Sequence, residues 1–364
     1  MPKVILLLNR EWRLFKQAAL PNLGLFVFGS VLTLFLVLYN IFFSGSFSFA
    51  DGSYFPYMKI LFKVVLSLFL VGYFIYLIVV REKRPIRQFG YLIKSVITRR
   101  YYILSSLLLF YATGFFLSAF STAKGAVYTF GEFAWDSAFS EMDRLLFFGK
   151  DAWHFFDWLY QYPVFIMLLN LFYNIWLFAV LGVFAFFCFQ LPSRVRNTYL
   201  YSWLACWVVL GVVCATLLSS AGPAFFSRVH PDLSVEPYQH LMDILRSVDA
   251  YLIASDFPFP LWALSTQDWL YNLHVEQSVK AGAGISAMPS MHVSMAVLMA
   301  LGLTRVKKWV GVIFWLYAFI IYIGSFLLAW HYAVDGIVSF ILTLLIWYIV
   351  DLLVKDSKRV SPYQ

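Results

Sequence analysis

Residues Trp309–Val354 read WVGVIFWLYAFIIYIGSFLLAWHYAVDGIVSFILTLLIWYIVDLLV. Two long apolar runs, Trp309–Trp330 and Ala333–Val354, flank a short polar step, His331-Tyr332-Ala333-Val334-Asp335. A spanning helix needs about 20 mostly apolar residues, because the hydrocarbon layer is about 30 Å thick and a helix rises about 1.5 Å per residue. The stretch therefore predicts two transmembrane helices that fold back on each other, with a histidine and an aspartate at the turn.

The same ruler laid along all 364 residues gives six more spans: Leu23–Phe43, Ile60–Val80, Tyr102–Ser121, Pro163–Leu191, Tyr199–Ser219 and Met288–Thr304. Composition agrees, with 62% hydrophobic and 13% charged residues. That much apolar surface cannot be hidden in one soluble core, so a soluble enzyme, a disordered chain and a disulfide scaffold are excluded. The expected fold is all-α and integral to the membrane, with about eight crossings. Cys188, Cys206 and Cys214 lie in apolar runs without ligand spacing and read as small core residues. Met1–Asn22 has too short an apolar run for a cleaved signal and carries Arg10, Arg13 and Lys16. It reads as an amphipathic surface helix with Trp12 and Phe15 turned to lipid.

Charge sets the expected orientation. With an inner amino terminus and eight crossings, the inner segments hold nineteen of the 27 lysines and arginines but four of the 19 acids. This is the positive-inside pattern, with both termini cytoplasmic. The net charge of +8 is thus a topology signal, and no basic-aromatic face of the nucleic-acid type is present. Two long segments fall on the outer side, 122–162 and 221–287. Connections of that length are usually functional, so short interfacial helices roofing the outer face are expected.

Two histidine blocks carry the chemistry. Met288-Pro289-Ser290-Met291-His292 opens the sixth span, where Pro289 suits the first helical turn and the free amides form an anion site, with the Ser290 hydroxyl beside them. The upstream Gly282 and Gly284 allow close backbone approach to a ligand. In the second block, His331 and Asp335 share a face if the stretch is helical. A carboxylate bonded to one ring nitrogen fixes the tautomer and frees the other nitrogen for attack. Two crossings separate the blocks, so both belong to the outer face. Two imidazoles and a carboxylate around an anion site suit phosphoryl transfer.

At these residues the chain resembles the type-2 phosphatidic acid phosphatase superfamily, whose hallmarks are a Pro-Ser-x-His block followed by a His-x-x-x-Asp block. The resemblance is closest to the branch containing inositol phosphorylceramide synthases. Met291 stands where the phosphatases usually have glycine, and Ala221-Gly222-Pro223-Ala224-Phe225-Phe226 looks like that branch's first motif. Asp143-Arg144 and Gly149-Lys150-Asp151-Ala152-Trp153 are supporting marks. The likeness implies a six-helix catalytic bundle over 101–354, an added module over 1–100 and a basic cytoplasmic tail over 355–364. It further implies His331 as nucleophile, Asp335 as its orienting group, His292 as acid and then base, and no metal or other cofactor. The phosphatase-type Ser-Arg pair is replaced by Gly324 and Ser325, which leaves Arg228 and Lys280 as candidate phosphate ligands with Ser290.

The expected function is a lipid phosphotransferase working through a phosphohistidine, with a membrane lipid donor and a lipid or small-alcohol acceptor. A lipid phosphate phosphatase, with water as acceptor, and a lipid transporter are the alternatives. Ionisable residues near the faces rather than the midplane weigh against the transporter. A metal site at His292, His331 and Asp335 lacks further nearby ligands. His154, His230, His240 and His274 read as surface residues, Tyr332 as packing, and Asp143-Arg144 as a possible local ion pair. Compact loops and the absence of a targeting segment point to a bacterial inner membrane, with the site facing the periplasm, or else to an organelle lumen.

Overall fold

The computed structural model describes residues 2–44, 54–232, 236–278, 280, 282 and 284–355. Of the expected tail over 355–364, all but Lys355 lies outside them. Among the described residues the regular structure is entirely helical. Helix α1 (Pro2–Ala19) passes through one 3-10 turn into α2 (Leu23–Ser44); α3 (Tyr54–Val79), α4 (Pro85–Thr98) and α5 (Arg100–Gly125) follow. Next come α6 (Asp136–Leu146), α7 (Pro163–Phe189, interrupted at Ile175) and α8 (Arg194–Leu217, with a π-helical turn Val209–Cys214). Apart from the short helical pieces Tyr128–Gly131, Ala152–Gln161 and Phe226–Val229, the remaining helices among the described residues are α9 (Glu236–Ala254), α10 (Trp262–Val275), α11 (Met291–Val306), α12 (Lys308–Leu327) and α13 (Ala333–Leu353).

Among the described residues seven helices are long and apolar enough to cross a membrane: α2 with the end of α1, α3, α5, α7, α8, α12 and α13. The chain is an integral membrane protein. The sixth expected crossing, α11, has only 16 residues, or about 24 Å. It falls short of the length of the seven and faces protein instead of lipid: Val293–Ala300, Gly302 and Leu303 are all buried, between α8, α12 and α13. Around α11 stand α7, α8, α12 and α13, with α5 packed on α7 and α8 and α2 packed on α5 and α8.

Helix α1 departs from the sequence expectation in one detail. Trp12 is exposed, but Phe15 is half-buried, edge-on to Tyr101, and Glu11 accepts from Arg100 at 2.6 Å and from Tyr101. The helix is therefore tied to the start of α5. Cys188 and Cys206 are buried and Cys214 is half-buried, all as free thiols. At the end of α13 away from the His331 turn, Asp351 pairs with Arg194 at 3.3 Å and Arg305 at 3.6 Å. The length of α13 puts that charge cluster about 25–30 Å from the histidines.

Candidate active site

The long connections fold over the end of the bundle that carries both histidine blocks. Helix α6 presents Asp136 and Asp143 from one face, since seven residues make almost two full turns. Both carboxylates are buried, and each accepts from two backbone amides. Asp143 accepts from Ala333 N at 2.7 Å and Val334 N at 2.8 Å, satisfying the first free amides of α13. It forms no ion pair with Arg144, which bonds Asp151 instead at 3.0 Å. Asp136 accepts from Ala221 N and Gly222 N, each at 2.9 Å, and from the Tyr332 hydroxyl at 2.9 Å, and it bonds His230 Nε2 at 3.1 Å. Tyr332 is thus a buried hydrogen-bond donor and not packing alone, and His230 is paired. His154 stacks on Trp153 and His274 lies against Tyr128; of the four histidines read as surface residues, His240 is exposed.

Burial pushes the Asp143 carboxyl up to about 7, against the pull of its two amide partners. The bond to Asp136 raises His230 above its ordinary value.

The segment Ala221–Phe226 wedges between α6 and the turn before α13. Gly222 has φ +93°, and a Cβ there would sit 2.7 Å from the Trp330 carbonyl, so only glycine lets the strands of chain meet. Ala224 N donates to Ala329 O at 2.9 Å. At the end of α8, Ser220 receives Ala287 N on its carbonyl and Met288 N on its hydroxyl, which pins the approach to α11. Helix α11 opens at Met291, with Ser290 as its cap accepting from Val293 N at 3.4 Å. Pro289 therefore precedes the helix, contrary to the sequence expectation that it starts one.

These supports bring the two histidines together. His331 and Asp335 lie in the turn and first turn of α13: His331 Nδ1 is 3.2 Å from Asp335 Oδ2, which also accepts from Tyr332 N at 3.1 Å. The His331 and Trp330 amides both donate to the Ser325 carbonyl. The His292 ring is stacked on Tyr173 and lies tilted against Trp176, each at 4.2 Å, and Trp176 Nε1 donates to the His292 carbonyl at 3.0 Å. The interruption of α7 at Ile175 falls between these two aromatics. The two imidazole centroids are 6.0 Å apart.

His292 and His331 line one cavity of about 300 Å³ with Lys124, Tyr173, Trp176, Trp207, Pro289 and Trp330. Thr266, Trp269 and Leu270, one face of α10, roof it. Asn170 holds that roof by accepting from Ala263 N and donating to Pro260 O, and Gln267 donates to Leu328 O. Burial and the nearby Lys124 charge push His331 down, to about 3, so its imidazole is neutral and its lone pair is available. The Ala287 carbonyl lies against the same ring.

Of the three predicted phosphate ligands, Arg228 and Lys280 are not among the residues lining the cavity, and Ser290 lies between Pro289 and Met291, which are. Arg228 bonds Asp268 at 2.5 Å and stacks on Tyr271, outside the cavity. Lys280 is exposed. The Ser290 hydroxyl serves as the α11 cap. The cation that does line the cavity, Lys124, was assigned by sequence to an outer loop, whereas α5 runs on to Gly125 and includes it. Asp136 was missed as well, although its spacing from Asp143 on an amphipathic stretch is a signal that both face protein.

The chain matches the family model of the PAP2 superfamily over residues 137–349, and it belongs to that superfamily, whose members are phosphatases and phosphotransferases. Neither a curated protein nor a solved structure matches it.

Proposed function

We propose that the protein is a lipid phosphotransferase of the inositol phosphorylceramide synthase-like kind, acting through a phosphohistidine on the extracytoplasmic face. The observation that carries this reading is the His331–Asp335 bond beside a second imidazole 6.0 Å away. With Nδ1 engaged by Asp335, Nε2 is the nitrogen that attacks phosphorus. The P–O bond to the leaving group breaks as the P–N bond forms, and His292 delivers a proton to the departing alkoxide. In the second half, His292 takes the proton of the acceptor hydroxyl, the acceptor oxygen bonds phosphorus and the P–N bond breaks. No step calls for a metal. The roof formed by Thr266, Trp269 and Leu270 supports transfer over hydrolysis, since it restricts water while the intermediate waits for an alcohol.

The test uses a phospholipid labelled in its phosphate, supplied with and without ceramide or diacylglycerol as acceptor. Base-stable, acid-labile label should appear on the wild-type chain and be absent from His331→Asn, which should lose turnover while remaining folded in the membrane. Label passing to the lipid acceptor supports the transferase; release as inorganic phosphate despite acceptor makes the protein a phosphatase. Normal turnover by His331→Asn would overturn the nucleophile assignment.

A further inference from the structure

Lys124 is the penultimate residue of α5, after an uncharged run from Tyr101 to Ala123. Among the described residues lining the cavity it is the one lysine, arginine or carboxylate side chain, and among them no ion pair or side-chain hydrogen bond engages its amine. A confined cation without a carboxylate is costly unless an anion joins it.

Two further features mark the position as built. The segment leading into α11 is laid on the last turn of α5: Gly284, at φ +103°, has its absent Cβ position 2.8 Å from the Lys124 carbonyl, and Gly282 N donates to Ser121 Oγ at 3.3 Å. This fixes Lys124 relative to His292. Three residues that line the cavity, Tyr173, Trp207 and Trp330, also carry buried donors, Tyr173 OH, Trp207 Nε1 and Trp330 Nε1, without a hydrogen-bond partner among the described residues. Tyr173 and Trp207 are each 5% exposed. An unpartnered buried donor is destabilising until an acceptor arrives, and a lysine amine among such donors favours an oxygen-rich anion.

We propose that Lys124 binds the non-bridging oxygens of the phosphoryl group held between His292 and His331, so that the site's neutralising cation comes from a helix outside the segment matched to the superfamily. The assignment rests on the phosphoryl-transfer reading of the two histidines. Lys124 transfers no proton; it holds the phosphoryl group in place and offsets the charge of its equatorial oxygens.

The experiment measures acetylation of individual lysines by mass spectrometry on the full-length protein in detergent. Inorganic phosphate is added to the wild type, and short-chain phosphatidic acid to His331→Asn, where turnover is blocked. Lys124 should be modified at least about fivefold more slowly with either anion, while exposed Lys280 is unaffected. Protection by phosphatidic acid alone assigns the ligand as the lipid headgroup, and protection by inorganic phosphate alone assigns it as free phosphate. Unchanged Lys124 modification with both would overturn the inference. Kinetics supply the second arm: Lys124→Met should lower kcat/KM about 100-fold, and Lys124→Arg should recover most of that. A Lys124→Met protein with normal kcat/KM would also overturn it. The two readings fail separately, since turnover surviving His331→Asn removes the phosphohistidine and leaves Lys124 protection standing.

Discussion

His331 and His292 face one another, yet the chain fixes them by opposite means. Around His331 every restraint is a hydrogen bond to a rigid partner: its amide to Ser325 O, its Nδ1 to Asp335, and the following helix start to Asp143. Around His292, among the described residues, no hydrogen bond holds the ring; Tyr173 holds its plane by stacking and Trp176 packs against it at a tilt. Directional bonds fix a tautomer, which a nucleophile requires. Stacking fixes a plane and leaves both nitrogens to the substrate, which suits a group that gives and takes a proton within one cycle.

The contrast breaks most severely at Asp335. Asp335→Asn keeps the shape and loses the tautomer control, so kcat should fall about 10³- to 10⁴-fold, by analogy with the orienting carboxylate of a serine-hydrolase triad. A loss below tenfold in a steady-state assay would show that the carboxylate does not set the nucleophile. Trp176→Phe tests the softer side. It keeps an aromatic face and removes the bond to the His292 carbonyl, and kcat should fall about tenfold for alkyl phosphates but less for nitrophenyl phosphates, whose leaving group needs little protonation. Equal losses on both substrates would separate Trp176 from the proton-transfer step.

The smallest effect concerns stability against pH. Asp143 and His230 both have raised values in the folded protein. For each, the stabilisation is fully present below its unfolded value and is lost as pH rises through the folded one, about 7 for Asp143. The unfolding temperature in detergent should therefore decline from about pH 5 to pH 8, with a shallower slope in Asp143→Asn and a shallower one again when His230→Gln is added. A wild-type profile that is flat or rising over this range would contradict the sign.

The crossings and both histidine blocks were legible because each rests on a local signal, apolar length or an i, i+4 pair. Proline at 289 misled by two residues, since Ser290 is the better cap and takes that place. The phosphate ligands were not legible. Arg228 was proposed from its nearness in sequence to the Gly222 motif, but Asp268, 40 residues away, claims it. Lys124 was hidden because an extra turn of helix carries it from an expected loop into the cavity wall. Asp136 was unreadable in its role, since its four partners come from three other parts of the chain.

Those partners, Ala221, Gly222, His230 and Tyr332, converge on a single carboxylate. Anyone recombining this protein with a distant homologue thus inherits a constraint on crossover points. A chimera that swaps α6 without the Gly222 loop and the Tyr332 turn would strand the acid with mismatched neighbours, and fragments exchanged as one unit are the ones that will express.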